Sequence, residues 1–343
     1  MSRHAARTVA VFAGLGIVGA LACASEDPSP SPSPTVEPAR AQLVFEGLAG
    51  ALLRVFGTSA RDVWAIGADG DGRGGLVLHF DGARWRRWPI VEPGDLWWGE
   101  ALGPGRARLV GEAGLVLDVD ASVGVTRVRR TGGAETLFGI WGAERDAWVV
   151  GGRGARGVIR RDDGDIFTTP TSTAAVTAGA ATFKVFGLAA DAVYVVGQRG
   201  RAARWDGARF TVLATPTEET LFAVHAADAA SVFAVGGALR GVVLRLDGDA
   251  WVDETPPDAP ALNGVHVVSA TLAYAVGYNG RAFRRSEGVW RPLAEDLPTL
   301  RDLHAVWVDP SGGLWAVGGQ LASDPPSAGV LVHVGAPIPT TLE

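Results

Sequence analysis

The chain is 343 residues long, 47% hydrophobic and 20% charged, with a net charge of −6. That is ample core for one large domain or two ordinary ones, without the basic excess a nucleic-acid binder carries. A single cysteine excludes an intramolecular disulfide and a paired-cysteine metal site; of the 31 basic residues only Lys184 is a lysine.

In chain order, residues 1–7 are short and basic, and residues 8–22 (TVAVFAGLGIVGALA) form an apolar run of signal-peptide length, short for a membrane span. Ala20-Leu21-Ala22 supplies a small-x-small cleavage pattern directly before Cys23. A sole cysteine at that point resembles a bacterial lipobox, although the usual leucine three residues before it is here Ala20. The resemblance implies a signal peptide over 1–22 and lipidation of Cys23. Ala24 rather than Asp after the cysteine implies an outer-membrane lipoprotein of a Gram-negative envelope. Simple secretion is the alternative. Residues 23–40 include SEDPSPSPSPTVEP, an extended Ser-Pro tether that buries nothing. The lipid would be the only membrane attachment.

From residue 41 a phrase recurs: RDVWAIG, RDAWVVG, DAVYVVG, SVFAVG, LAYAVG, LWAVG. The glycines ending these six copies, with Gly111 in the divergent unit, fall at Gly67, Gly111, Gly151, Gly197, Gly236, Gly277 and Gly318, at intervals of 44, 40, 46, 39, 41 and 41. A β-rich period of that length predicts an all-β fold, a seven-bladed β-propeller with four antiparallel strands per blade. Each unit parses into a strand such as LFGIWG, a turn often holding an acid, the repeated strand, and a third strand such as LVLHF. An Asp-Gly pair, expected as a two-residue hairpin turn, then leads to a fourth strand opening on an aromatic. The last unit lacks a fourth strand, and AQLVFEG (41–47) is an orphan. The N-terminal strand is therefore expected to complete the seventh blade, removing two sheet edges. This makes 41–338 one domain and 339–343 a tail.

The diglycines Gly151-Gly152, Gly236-Gly237 and Gly318-Gly319, together with the later tryptophan of the repeat, resemble kelch-type and related bacterial propellers. The resemblance covers about residues 41–335 and implies architecture alone. A residue type filling one slot in most blades belongs to the scaffold. Trp64, Trp148, Tyr194, Phe233, Tyr274 and Trp315 share such a slot, with Arg108 the exception. A second ring is expected from Phe56, Trp98, Trp141, Phe186, His225, His266 and Trp307. Both suit packing between wedge-shaped sheets.

Function is sought in the departures. His225 and His266 are two imidazoles without a third ligand, so no metal is assigned. Asp69 and Asp71 in GADGDGRGG fit part of a calcium loop and, more simply, a solvated turn. Glu100, Glu112 and Asp118 mark blade 2 as divergent. No catalytic constellation and no cofactor emerges. The collective feature is arginine at the turn between second and third strands: Arg73, Arg153, Arg156, Arg199, Arg201, Arg240 and Arg281. These are the candidate ligand-binding residues, a guanidinium ring facing an anion. Asp62, Asp81, Asp146, Asp163, Asp191, Asp206 and Asp247 collect on the opposite face. The expected function is a monomeric, envelope-anchored binding or scaffolding protein whose partner is an envelope protein or an anionic polysaccharide. The alternative is a polysaccharide-acting hydrolase or lyase with its site at the propeller axis.

Overall fold

The computed structural model describes residues 40–294 and 297–343; the leader, Cys23 and most of the tether lie outside the described residues. Seven four-stranded antiparallel sheets make up the fold, as the repeat predicts. Blade 1 runs Leu52–Ser59, Asp62–Gly67, Leu76–Phe80 and Trp85–Arg87. The first strands of blades 2 to 7 are Leu96–Gly103, Thr136–Ala143, Thr182–Ala189, Leu221–Ala226, Leu262–Ser269 and Asp302–Val308. Each packs against the first strand of the next blade, and blade 7 packs against blade 1, so the first strands surround the axis. The fourth strand of blade 7 is Arg40–Gly50, antiparallel to Ser327–Gly335 with Arg40 opposite Gly335 and Gly50 opposite Ser327. The N-terminal strand thus closes the ring.

The glycine that marks the repeat has a local cause. It pairs with the first residue of the first strand in five blades and with the second in blades 3 and 7, and in every blade the next residue on that strand is skipped by the ladder. This β-bulge falls at Leu53, Trp97, Phe138, Phe183, Phe222, Asn263 and His304. It pushes a backbone carbonyl toward the facing strand. A Cβ on Gly67 would lie 1.9 Å from the Ala51 carbonyl oxygen, and one on Gly236 1.9 Å from that of Thr220. Only glycine fits at such an approach.

Beyond the bulge, one row of side chains crosses each blade. Phe56, Trp64 and His79 stand opposite one another in blade 1, and Trp307, Trp315 and His333 in blade 7. In blades 3 to 6 the third member is Arg161, Arg204, Arg245 or Arg284. The aromatic of the second strand therefore faces a basic side chain in six blades. His79 and His333 stack on their tryptophans at 4.2 and 4.0 Å between centroids. Blade 2 is the exception, and it corrects the expected ring: Glu100, not Trp98, stands opposite Arg108, which in turn faces Asp118. Trp98 sits two rungs nearer the strand's start, opposite Val110. The bulge displaces side chains from simple alternation, so matching aromatic to aromatic picked the wrong tryptophan.

Two expected details also change. Asp247-Gly248 opens the expected two-residue turn, with Asp247 opposite Ala250, but the other three Asp-Gly pairs open four-residue turns. Asp81 Oδ1 accepts from the N–H groups of Ala83 and Arg84, and Asp206 Oδ1 does the same for Ala208 and Arg209. Only the glycine of each pair has positive φ, 87° at Gly82 and 94° at Gly207. The aspartate thus works as a side-chain cap. The C-terminal tail, for its part, is docked. Leu342 bridges Trp85 in parallel, and the Glu343 N–H donates to the Trp85 carbonyl at 2.9 Å. Ile338 exchanges two hydrogen bonds with the Gln42 side chain.

Candidate functional site

Strand alternation puts the turns between second and third strands on one face, together with the connections leading into each first strand. All seven candidate arginines lie there. Arg73 is neutralised: its guanidinium holds Asp71 at 2.6 Å, and Arg87 binds the same carboxylate at 2.7 Å. Those two hydrogen-bonding arginines, Arg87 first, keep Asp71 well below the usual carboxylate range, and the calcium-loop reading loses this ligand. Arg201 is half-buried and reaches the Ala175 and Ala178 carbonyls at 3.3 and 3.4 Å, fastening the short helix Ala174–Thr177. Arg153, Arg156, Arg199, Arg240 and Arg281 are exposed, with no carboxylate within 4.0 Å among the described residues. Arg153 and Arg156 face each other across one hairpin.

Acids share this face. Glu218, Glu219 and Asp258 lie on the connections into blades 5 and 6, with the Glu219 carboxylate accepting from the Ala238 N–H, and blades 1, 2 and 7 contribute Asp69, Asp95, Glu112 and Asp324. Burial, and after it the charges of these neighbours, raises the Asp95 pKa. The unpaired arginines occupy blades 3 to 6. Between them stand apolar side chains on successive loops: Leu239 is 94% exposed, Leu300 87% and Tyr278 38%. On the opposite face the predicted acids are mostly spoken for. Asp146 pairs with Arg161 at 2.7 Å, and Asp163 caps its turn. Asp62 is buried and accepts from Thr58, His79 and the Gly105 N–H. Asp191 is exposed, and Asp247 lies 3.7 Å from Arg245. Arginines at these turns pair as well, Arg106 with Glu144 and Arg145 with Asp165. Residue type alone does not show this difference in pairing.

The axis is lined by the bulge residues and the rung after them. Trp97, Phe138, Phe183 and Phe222 form a chain of ring contacts at 5.1, 5.1 and 5.6 Å between centroids, with His304 6.2 Å from Trp97. On the next rung stand Arg54, Trp98 and Lys184, the other four positions being Gly139, Ala223, Gly264 and Ala305. Lys184 Nζ donates to the Phe138 carbonyl at 2.9 Å and lies 3.3 Å from the Trp98 ring centroid. The Arg54 guanidinium carbon is 4.0 Å from the same centroid. Burial lowers the Lys184 pKa far below its ordinary value and that of Arg54 to about 9, the latter countered by the Glu100 charge. His225 and His266 stack at 4.5 Å, and burial holds both pKa values down, His266 to about 3. Both rings stand in the Phe56 row, two residues beyond that rung, and the described residues contain no group of three or more potential metal ligands.

The divergent acids of blade 2 do not converge. Glu112 lies on the arginine face beside Asp95, whereas Glu100 and Asp118 sit at the Arg108 row. Arg108, fully buried, makes a bidentate pair with Asp118 at 2.6 and 3.0 Å and donates to the Glu144 carbonyl. It lies 3.7 Å from Asp162, itself held by Arg129 at 2.6 and 2.8 Å. Glu100 accepts from the Gly142 N–H at 3.2 Å, and its Oε1 has no partner. Burial pushes its pKa up to about 7. This is a structural ion network whose charges balance when Glu100 is protonated.

No protein-family model and no curated protein matches the chain. Among solved structures it is similar to YCF48 from Cyanidioschyzon merolae at 15% identity and a TM-score of 0.65, covering 87% of this chain and 99% of that one. YCF48 bound to D1 peptide gives 12% identity and a TM-score of 0.62 over 89% and 99%. Virginiamycin B lyase from Staphylococcus aureus gives 14% and 0.65 over 85% and 99%. At these identities the likeness shows the fold, a seven-bladed propeller.

Proposed function

We propose that this chain is a binding or scaffolding propeller, built of kelch-type blades, that captures a protein partner on its arginine face. The observation that carries the reading is the patch on blades 4 to 7 of that face. Leu239, Tyr278 and Leu300 project into solvent among the unpaired guanidiniums of Arg199, Arg240 and Arg281. Exposed apolar side chains interleaved with arginine are the composition of a protein interface. A smooth anionic polysaccharide would engage the guanidiniums and leave the leucines in water, so a protein with an acidic rim around an apolar centre fits better. YCF48, a fold neighbour, has a structure with a bound peptide, a precedent for the use of such a propeller.

The leader and Cys23 make it an envelope lipoprotein in this reading, with the Ser-Pro tether holding the propeller off an outer membrane. Metabolic labelling with a clickable palmitate analogue checks the anchor: label lost in Cys23→Ser supports it, and label retained removes it. The binding face is tested by pull-down from solubilised envelope with the full chain. The triple variant R199S/R240S/R281S is expected to lose partner capture at least tenfold at low salt, and the pair L239S/L300S likewise. Undiminished capture by both variants would refute this face, and recovery of polysaccharide alone would refute a protein partner.

A further inference from the structure

We infer that the axis of the propeller holds a small monoanion, a halide or a compact carboxylate, between Arg54 and Lys184. The argument is one of uncompensated charge and does not depend on the proposed outer-face function. Lys184 is 4% exposed and has one acceptor, the Phe138 carbonyl. Arg54 has one long contact, from Nε to the Gly99 carbonyl at 3.4 Å, and its two terminal nitrogens have no hydrogen-bond partner among the described residues. Both cations lie within 4.0 Å of the Trp98 ring centroid, and the Arg54 charge reaches Lys184. No carboxylate approaches either within 4.0 Å among the described residues. The one acid nearby, Glu100, stands two residues beyond Trp98; its Oε2 accepts from the Gly142 N–H, its charge partly offsets that of Arg54, and burial favours its protonated form.

A guanidinium enclosed by protein cannot relieve itself by losing its proton. Burial and the Arg54 charge press Lys184 toward its neutral form, and a bound anion is what would hold both groups charged. No other side chain of that rung offers an acceptor. Gly139, Ala223, Gly264 and Ala305 occupy the same rung, and Arg54, Trp98, His225, His266 and His304 keep partial accessibility although first strands surround them. One imidazole can supply a further N–H donor: His225 Nδ1 accepts from the Val267 N–H, which makes its Nε2 the protonated one, whereas His304 spends its single N–H on the Leu53 carbonyl. A large ligand is excluded by the aromatic chain from Trp97 to Phe222 across the adjoining rung. The rung is occupied by a lysine only in blade 4, and that lysine is the sole one in the chain.

The test titrates full-length protein with sodium chloride or sodium acetate at pH 7, ionic strength being held constant with a bulky sulfonate, and follows thermal unfolding. A saturable rise of roughly 3 °C in wild type is expected, absent in Lys184→Met and in Arg54→Met. A response to chloride alone assigns a halide, and one to acetate alone a carboxylate. No saturable rise with either, or an equal rise in both variants, overturns the inference. Should the variants not fold, wild-type crystals grown in sodium bromide decide: an anomalous peak within hydrogen-bonding reach of Lys184 Nζ or the Arg54 guanidinium supports the site, and an axis without one overturns it.

Discussion

Glu100 and the three axial histidines carry the pH behaviour of this protein, with opposite signs. Burial raises the Glu100 pKa to about 7, so between the ordinary carboxylate value and 7 the folded chain keeps a proton that the unfolded chain has released. Its contribution to stability falls as pH rises through that window. Glu100→Gln should match wild type near pH 4.5 and exceed it by about 2–3 kcal/mol at pH 8 in urea unfolding. A variant no more stable than wild type at pH 8 would mean that Glu100 ionises freely. His225, His266 and His304 stay neutral in the fold while the unfolded chain takes up protons below about 6.5. Each therefore withdraws up to about 1.4 kcal/mol per pH unit as pH falls below that point. Three such groups outweigh one glutamate, so stability drops on acidification. His225→Phe/His266→Phe, which restores the aromatic found at Phe56 and Phe186, should remove most of the acid slope. An unchanged slope would place it elsewhere. At this scale the sequence was only partly legible: Arg108 stood out as the one non-aromatic in its slot, but its partner Glu100 was passed over for Trp98.

At the scale of the strand, the bulge explains what repeats. The glycine ruler is visible in the sequence because a carbonyl fills the place of its Cβ in every blade, and the period follows from that packing. Gly236→Ala is expected to cost about 2–3 kcal/mol or more, since the obstructing atom is backbone and cannot rotate away. Gly248→Ala, where nothing lies within 4 Å but φ is 61°, should cost about 1 kcal/mol. Equal losses in the two variants, measured by chemical unfolding, would contradict the carbonyl account. The bulge residue itself escaped the sequence reading, because Leu53, Trp97, Asn263 and His304 share a position without sharing a type. The tail was likewise read as surplus, since its two ties, to Gln42 and to Trp85, are 296 residues away in one case and a parallel bridge in the other.

On the whole molecule, strand count, blade number and closure were all legible, because a missing strand at one end and an orphan at the other have one simple repair. Deleting residues 40–50 should leave Ser327–Gly335 as an open edge and yield aggregated protein, whereas deleting 339–343 should leave a folded monomer; size-exclusion chromatography separates the outcomes. What was not legible is which arginines are free. Arg73 and Arg201 carry the same residue type at the same turn as Arg199 and Arg240, yet one is held by a carboxylate and the other by two carbonyls. Only the unpaired ones, with Leu239 and Leu300 beside them, make a face suited to a partner. The most direct measurement is hydrogen–deuterium exchange of the full chain with and without the partner recovered from the envelope. The account predicts new protection in the turns around 198–201, 237–241 and 278–281 and in the 297–301 connection. Protection confined to the Asp-capped turns of the opposite face, or to the outer edges of the blades, would contradict it.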